Sequence, residues 1–325
     1  MPGSGPPGEF RFIERHFLPL AGPAALALSD DAAVFAPPPG RDLVVSADAM
    51  VQGVHFLTGD PPGSVGRKLL RVNLSDLAAM GAAPLGYLLT VTLPPAMTDA
   101  WFAGFCAGLA ADQAEFGLSL LGGDTTSTTG PLVLSLTILG HVAPGTALRR
   151  NKAAPGDGVW VSGSIGDAAL GLAALQGGLA DPTGDLAERY RLPQPRLALG
   201  RQLHGIASAG MDVSDGLVQD CGHLCRQSGV AAVLDAPLVP VSPAAQQAIR
   251  SAGEAWRATC LTGGDDYELL LAVPAGRETA LLAAAAATGT AITRIGRFET
   301  GAPYVRVLDA AGVEQRFERA GWSHL

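Results

Sequence analysis

Apolar residues along this chain gather in short periodic runs, separated by clusters of Gly, Pro, Ser and Asp. That is the pattern of a fold that mixes helix with strand. Residues 9–20 predict a short amphipathic helix, with Phe10, Ile13 and Phe17 on one face and Arg11, Glu14 and Arg15 elsewhere. The run Leu43-Val44-Val45 predicts a strand from Asp42 that ends at Ser46-Ala47-Asp48. Val65, Leu69 and Val72 repeat at helical spacing within 64–80, and Gly81 then Pro84 close that helix. Strands are expected at 87–93, 118–121 and 131–142, with a helix at 99–116 between the first two.

After His141 the pattern restarts. Residues 145–158 carry Pro, Gly and the basic residues Arg149, Arg150 and Lys152, and the domain boundary is placed there. Beyond it, Val159-Trp160-Val161 predicts a strand that feeds a Gly-Ser-Ile-Gly-Asp turn and a helix through Leu175. Residues 177–195 read as a polar connection. A helix, the 211–216 turn and a helix to Gln227 follow, then strands at 267–273, 292–298 and 304–308 around a helix at 277–287. The expectation is α/β (α+β) in two domains, 1–144 and 145–325, with no short-period repeat.

At 325 residues, 48% of them apolar and 16% charged, the chain is an ordinary globular sequence long enough for two cores. A net charge of −8 without a basic stripe argues against a nucleic-acid partner. The stretch 281–287 is far too short to span a bilayer, and the Pro/Gly-rich start lacks the order of a signal peptide. Four scattered cysteines, Cys106, Cys221, Cys225 and Cys260, fit a reducing compartment, so a cytoplasmic protein is expected. Cys221 and Cys225 flank His223 on one helix, but buried thiols are the better reading than a metal pair.

One arrangement recurs: an apolar segment, then small residues carrying one or two aspartates. It occurs at Ser29-Asp30-Asp31, Ser46-Ala47-Asp48, Asn73-Leu74-Ser75-Asp76, Gly122-Gly123-Asp124-Thr125-Thr126, Met211-Asp212-Val213-Ser214-Asp215-Gly216 and Gly263-Gly264-Asp265-Asp266-Tyr267. A single copy is ordinary turn chemistry. Six copies at the ends of apolar elements, with few Lys or Arg beside them, point to a hard cation as the compensating charge. Several Mg²⁺ ions, with glycine backbone N–H groups and Ser/Thr hydroxyls, would hold a nucleotide triphosphate. No Walker A sequence or protein-kinase catalytic loop is present. The Gly-x-Gly-x-x-Gly pattern from Gly3 to Gly8 follows no strand and carries two prolines, so it is discounted. Gly163-Ser164-Ile165-Gly166-Asp167 reads equally as a capping turn and as an anion site.

In order and spacing these segments resemble the thiamine-monophosphate kinases, of the superfamily that includes aminoimidazole ribonucleotide synthetase. The most specific pieces are the segment from Asn73 to Ala82, Gly53-Val54-His55-Phe56, Gly122-Gly123-Asp124-Thr125-Thr126, Asp212-Val213-Ser214-Asp215-Gly216-Leu217 and Gly264-Asp265-Asp266-Tyr267-Glu268-Leu269. The resemblance implies an N-terminal domain whose sheet pairs with its copy in a homodimer, forming a barrel, and a larger C-terminal α/β domain. It implies ATP and several Mg²⁺ in a cleft between the domains. Asp30, Asp31, Ser46, Ala47, Asp48, Asp76, Asp124, Asp212 and Asp215 fall at or beside metal positions. Gly123, Asp124, Arg150 and Ser214 fall at ATP contacts, and His55, Asp265 and Trp322 at contacts to thiamine monophosphate. Lys68 matches a family lysine without an assigned role. The chain departs from the family pattern at Ser29, Ala47 and Asp265, and no Arg follows Thr126.

The expected reaction is in-line transfer of the γ-phosphoryl group of ATP to thiamine monophosphate, giving thiamine diphosphate and ADP. No general base is expected, because a phosphate monoester with its second pKa near ~6 is already largely ionised. The alternatives are another ATP-using enzyme of the superfamily, or a non-catalytic sensor of thiamine phosphate or nucleotide. Of the first kind, a selenophosphate synthetase would need a reactive Cys or Sec in the N-terminal loop, and a hydrogenase-maturation relative a C-terminal cysteine tail. The first cysteine is Cys106, and the chain ends Gly321-Trp322-Ser323-His324-Leu325. The purine-synthesis enzymes lack the Gly-Val-His-Phe and Gly-Asp-Asp-Tyr-Glu-Leu pairing found here.

Overall fold

The computed structural model describes residues 8–323, and among these the strands form two sheets. The discounted glycine pattern, apart from Gly8, lies outside them. Contacts divide the chain into two compact units: 1–74 with 83–144, and 75–82 with 145–325. The short segment 75–82 therefore groups with the second unit, although it precedes the sequence boundary.

The first unit comprises α1 (Gly8–His16), β1 (Asp42–Val51), α2 (Pro62–Ala79) up to Leu74, β2 (Ala83–Leu93), α3 (Asp99–Phe116), β3 (Ser119–Ser127) and β4 (Val133–Val142). Its sheet has the order β1-β4-β2-β3, antiparallel except for the parallel β2–β3 pair. Alternation along β1 buries Val44 and Met50 and exposes Leu43 and Val45, as expected of a sheet with two unlike faces. Helix α3 starts where predicted: the Thr98 hydroxyl accepts from the Trp101 N–H, and Gly117 ends the helix in the left-handed region. Helices α2 and α3 approach so closely that a Cβ on Gly108 would stand 2.1 Å from the Gly63 carbonyl oxygen. Between them the buried Arg71 donates to Asp112 at 2.7 Å through Nε and to Glu115 at 2.8 Å through Nη2. Helix α1 lies against α3, with Phe12 and Phe102 ring centroids 4.8 Å apart.

Two strands run further than the sequence predicts. β1 continues through Ser46-Ala47-Asp48 to Val51, and β3 continues through Gly122-Gly123-Asp124 to Ser127. Pairing with β4 and β2 overrides the weak strand preference of Asp and Gly in both places. Asn73 to Asp76, one of the Asp-bearing segments, lies inside α2, as the helix expected over 64–80 requires.

The second unit contains β5 (Gly158–Ser162), α4 (Asp167–Leu175), α5 (Asp185–Arg191), α6 (Leu197–Gly200), β6 (Ala209–Asp212), α7 (Leu217–Ser228), β7 (Ala231–Asp235), α8 (Pro243–Ala252), α9 (Ala255–Thr262), β8 (Leu269–Val273), α10 (Glu278–Ala287), β9 (Ile292–Glu299), β10 (Val305–Leu308) and β11 (Glu314–Gln315). The sheet order is β11-β10-β7-β9-β5-β8-β6, with only β7–β10 parallel. β5 and β8 are buried along their whole length, which is why both read as unbroken apolar runs. Helix α7 adds Leu217, Cys221, Leu224 and Cys225 to this core. All four cysteines are buried thiols, as the composition predicts.

The supposed polar connection at 177–195 contains α5, which buries Leu186 and Tyr190. α5 presses against α4 at Gly171, where a Cβ would meet the Leu186 carbonyl oxygen at 2.0 Å. With only two apolar anchors among charged residues, its helical signal in sequence is faint.

Candidate active site

In the first unit, Asp30, Asp31, Gly123 and Asp124 line one cleft of about 670 Å³. Its floor comes from Leu88, Thr90 and Thr137, on one face of the sheet. Gly123 is required there, because a Cβ would stand 1.7 Å from the Leu89 carbonyl oxygen. Asp30 and Asp31 follow a turn in which Leu26, Ala27 and Leu28 all have positive φ, at 50°, 57° and 54°. Three successive left-handed residues without glycine cost roughly 1–2 kcal/mol each, a strain held by the surrounding chain.

Asp48 does not join that group. It pairs across the sheet through Leu136 and Leu89 to Gly123, whereas Asp124 lies on the next rung with Thr90, Ser135 and Ala49. Strand alternation therefore turns Asp48 and Asp124 to opposite faces, with backbones roughly 14 Å apart at the usual strand spacing. Ser46 shares the Asp48 face and Ala47 the Asp124 face. The Asp48 N–H donates to Asn73 Oδ1 at 3.2 Å, tying β1 to α2. His55 follows β1: its Nδ1 accepts from the Val51 N–H at 3.0 Å, and its carbonyl accepts from the buried Lys68 at 3.1 Å. Lys68 thus braces the backbone at His55.

In the second unit, Asp76 and Asp212 stand together. Ser75 Oγ donates to Asp212 Oδ2 at 2.7 Å. Burial above all, then the charge of Asp76, pushes the Asp212 carboxyl up to about 7, although Ser75 and the Arg150 guanidinium pull it down. The buried Asp212 and the half-buried Asp76, with the buried Ser75 hydroxyl and no lysine, form an all-oxygen donor set. It fits Mg²⁺ in chemistry, and a divalent cation relieves the repulsion that raises Asp212.

The loop from Val213 to Gly216 carries Ser214 and Asp215, both half-buried. Trp322 is tethered to it: its N–H donates to the Asp215 carbonyl at 2.8 Å, and Gln219 Nε2 donates to the Trp322 carbonyl at 2.7 Å. The Trp322 side chain stays 52% exposed. Asp265 closes the group, its N–H donating to the Ser214 carbonyl at 2.8 Å.

Asp220, in the first turn of α7, is buried and organises this loop. Its Oδ2 accepts from the N–H groups of Ser214, Asp215 and Gly216 at 3.0, 3.0 and 3.2 Å. Burial and then Asp212 push its carboxyl up to about 7. The available signal was an acid in the first turn of a helix directly after a glycine, where a carboxylate meets unpaired N–H groups. Glu268 was also missed as a centre. It is fully buried and accepts from Ser162 Oγ at 2.6 Å, Arg189 Nη2 at 2.9 Å and Arg196 Nε at 2.7 Å. The expected shortage of cations beside the acidic segments therefore does not hold here, since both arginines come from distant segments. Asp266 accepts from Gly166 N–H at 2.8 Å, and burial pushes its carboxyl well up. The Gly163–Asp167 turn thus receives a carboxylate from its own chain. The cysteine–histidine metal pair does not form: Cys221 and Cys225 are core thiols, and the His223 imidazole pairs with Arg226 at 2.9 Å.

Residues 29–142 match the family model described as AIR synthase related protein, N-terminal domain, and 154–308 match its C-terminal counterpart. A thiamine-monophosphate kinase of Caulobacter vibrioides is 44% identical over 99% of this chain and 92% of its own length. The crystal structure of thiamine-monophosphate kinase from Stenotrophomonas maltophilia K279a superposes with a TM-score of 0.80 at 42% identity, covering 86% of this chain and 89% of that one. A structure described as AaThiL complexed with AMPPCP and TMP gives a TM-score of 0.78 at 29% identity over 91% of each chain. With both AIR synthase related domains present and near full-length identity to named members, the chain belongs to the thiamine-monophosphate kinase family.

Proposed function

We propose that this protein transfers the γ-phosphoryl group of ATP to thiamine monophosphate, forming thiamine diphosphate and ADP. The observation that carries this reading is the Asp76–Asp212 pair with the Ser75 hydroxyl, an all-oxygen set in which burial and the neighbouring Asp76 charge raise the Asp212 carboxyl to about 7. A relative complexed with AMPPCP and TMP supports a nucleotide and a phosphorylated substrate as ligands. Asp76 and Asp212 in the second unit, and Asp30, Asp31 and Asp124 on one face of the first sheet with Asp48 on the other, would hold Mg²⁺. Bound Mg²⁺ supplies charge neutralisation for the phosphates and polarises the transferred group.

The chain's own residues do the rest. Gly123 lets β3 pack against the Leu89 backbone and so sets the position of Asp124 beside it. Arg150 adds a cation close enough to bias Asp212. Ser214 is set by Asp220 and offers a hydroxyl. Trp322, about half exposed, would offer its indole to a cationic heteroaromatic ring. No side chain need remove a proton, because the attacking phosphate oxygen is largely ionised at neutral pH. Positioning two anions then accounts for the rate.

Leu43, Val45 and Leu88 lie on the same face of the first sheet and are 48%, 59% and 41% exposed, a surface that supports a homodimer paired through this sheet. Among the described residues no helix is long and apolar enough to cross a membrane. The buried thiols fit the cytoplasmic location expected from composition.

The test follows thiamine diphosphate directly, with ATP and Mg²⁺, in parallel reactions containing thiamine monophosphate, free thiamine or no acceptor. Diphosphate from the monophosphate alone supports the kinase. Mg²⁺-dependent ATP binding without diphosphate overturns it and leaves the sensor reading.

A further inference from the structure

Two non-glycine residues of the second unit hold left-handed backbones two positions apart: Asp265 at φ 71° and Tyr267 at φ 53°. Neither residue adopts this region readily, least of all a bulky tyrosine, so something must hold the segment.

The holding groups are the residues that alternate with them. Asp266 and Glu268 are fully buried, while Asp265 and Tyr267 are half-buried. Asp266 binds the Gly166 N–H, and Glu268 is clamped by Ser162, Arg189 and Arg196. Both strained residues also give their N–H groups to the Val213–Ser214 backbone: Asp265 to the Ser214 carbonyl and Tyr267 to the Val213 carbonyl, each at 2.8 Å. Gly264 lies so near that loop that a Cβ would stand 2.2 Å from the Ser214 carbonyl oxygen. The segment is pinned at both ends to rigid elements.

The pinning brings the Tyr267 hydroxyl to the Asp265 carboxylate, to which it donates at 3.2 Å. Neither buried anchor needs this contact, and a relaxed backbone would move both side chains.

We propose that Tyr267 is a positioning residue for the phosphorylated substrate: its hydroxyl aims the Asp265 carboxylate, and the buried Asp266 and Glu268 hold the strained backbone that makes the pair. This rests on the kinase reading, in which Asp265 touches thiamine monophosphate. Tyr267 acts through Asp265 and takes no part in phosphoryl transfer.

The experiment compares wild type, Tyr267→Phe and Tyr267→Gly in the thiamine diphosphate assay, varying thiamine monophosphate and ATP separately, with thermal unfolding beside it. Tyr267→Phe keeps the ring and loses only the hydroxyl; its KM for thiamine monophosphate rises about tenfold, with kcat and the KM for ATP within twofold. Tyr267→Gly relieves the strain, so it weakens substrate at least as much without falling below Tyr267→Phe in melting temperature. A purely structural tyrosine would leave substrate KM unchanged in Tyr267→Phe, and that result overturns the proposal while the kinase stands. A wild type that forms no thiamine diphosphate overturns the kinase reading itself, and the positioning role with it.

Discussion

Ser75 donates its hydroxyl to Asp212 across 137 positions of sequence, at 2.7 Å, where the charge of the half-buried Asp76 also acts on Asp212. The contact joins the Asn-Leu-Ser-Asp and Asp-Val-Ser-Asp-Gly segments, which look like separate turns in the sequence. It also leaves Asp212 with an unusual titration.

The pH behaviour of the metal-free protein follows from that titration. An unfolded aspartate titrates near ~4, whereas folded Asp212 titrates at about 7. Between those values the folded chain binds the extra proton, so stability falls as pH rises from about 4 to about 7. Asp212→Asn has no such proton to lose. In urea unfolding with EDTA, the variant should gain roughly 3 kcal/mol on wild type between pH 4 and pH 8. Added Mg²⁺ should raise wild type at pH 8 by more than it raises the variant. Parallel pH profiles for the two proteins would remove Asp212 as the source.

Turnover should depend on carboxylates of both sheet faces in the first unit. Asp48→Ala and Asp124→Ala are each expected to lower kcat by about 10²–10³, the usual loss when one preorganised charge-stabilising group is removed. Because the two lie on opposite faces, each variant should show its own Mg²⁺ dependence, with neither fully rescued by excess metal. Near-normal activity of either at limiting Mg²⁺ contradicts its assignment.

Asp220 serves the fold and the site together. Asp220→Ala leaves the N–H groups of Ser214, Asp215 and Gly216 without their acceptor. The expected loss is about 2–3 kcal/mol in unfolding free energy, together with weaker ATP binding through the displaced Ser214. Asp220→Asn keeps an acceptor oxygen and should recover most of the stability. Equal melting temperatures for wild type and Asp220→Ala would show that the loop is held by other means.

The exposed face of the first sheet gives a direct test of assembly. Wild type should scatter light as a dimer, and Val45→Glu or Leu88→Glu should shift it to a monomer without unfolding, since both side chains are exposed in the single chain. A dimer that survives both substitutions lies elsewhere on the protein.

Elements with strong local signals were legible in advance. Helix α3 has a Thr cap and a glycine stop, and it appears at the expected residues. Helix α5 was not, because its two buried side chains are anchored by contact with Gly171 of α4 rather than by a local pattern. Asp124 and Asp48 both stood out as acids beside small residues, yet their separation came from the register of four strands, which no local pattern encodes.

The sequence by itself determined the chemical character of this protein: aspartates repeated beside small residues, two α/β units and family motifs in the family's order. Those properties are local, since they depend on residue type and short spacing. Only the tertiary structure decided which acids share an environment, that Asp220 and Glu268 are anchors, and that Asp265 and Tyr267 are held under strain. Burial and ionisation depend on partners brought from distant segments, such as Arg189 and Arg196 at Glu268 or Ser75 at Asp212. The energy of a charge is set by what surrounds it in space, and that exists only once the chain has folded.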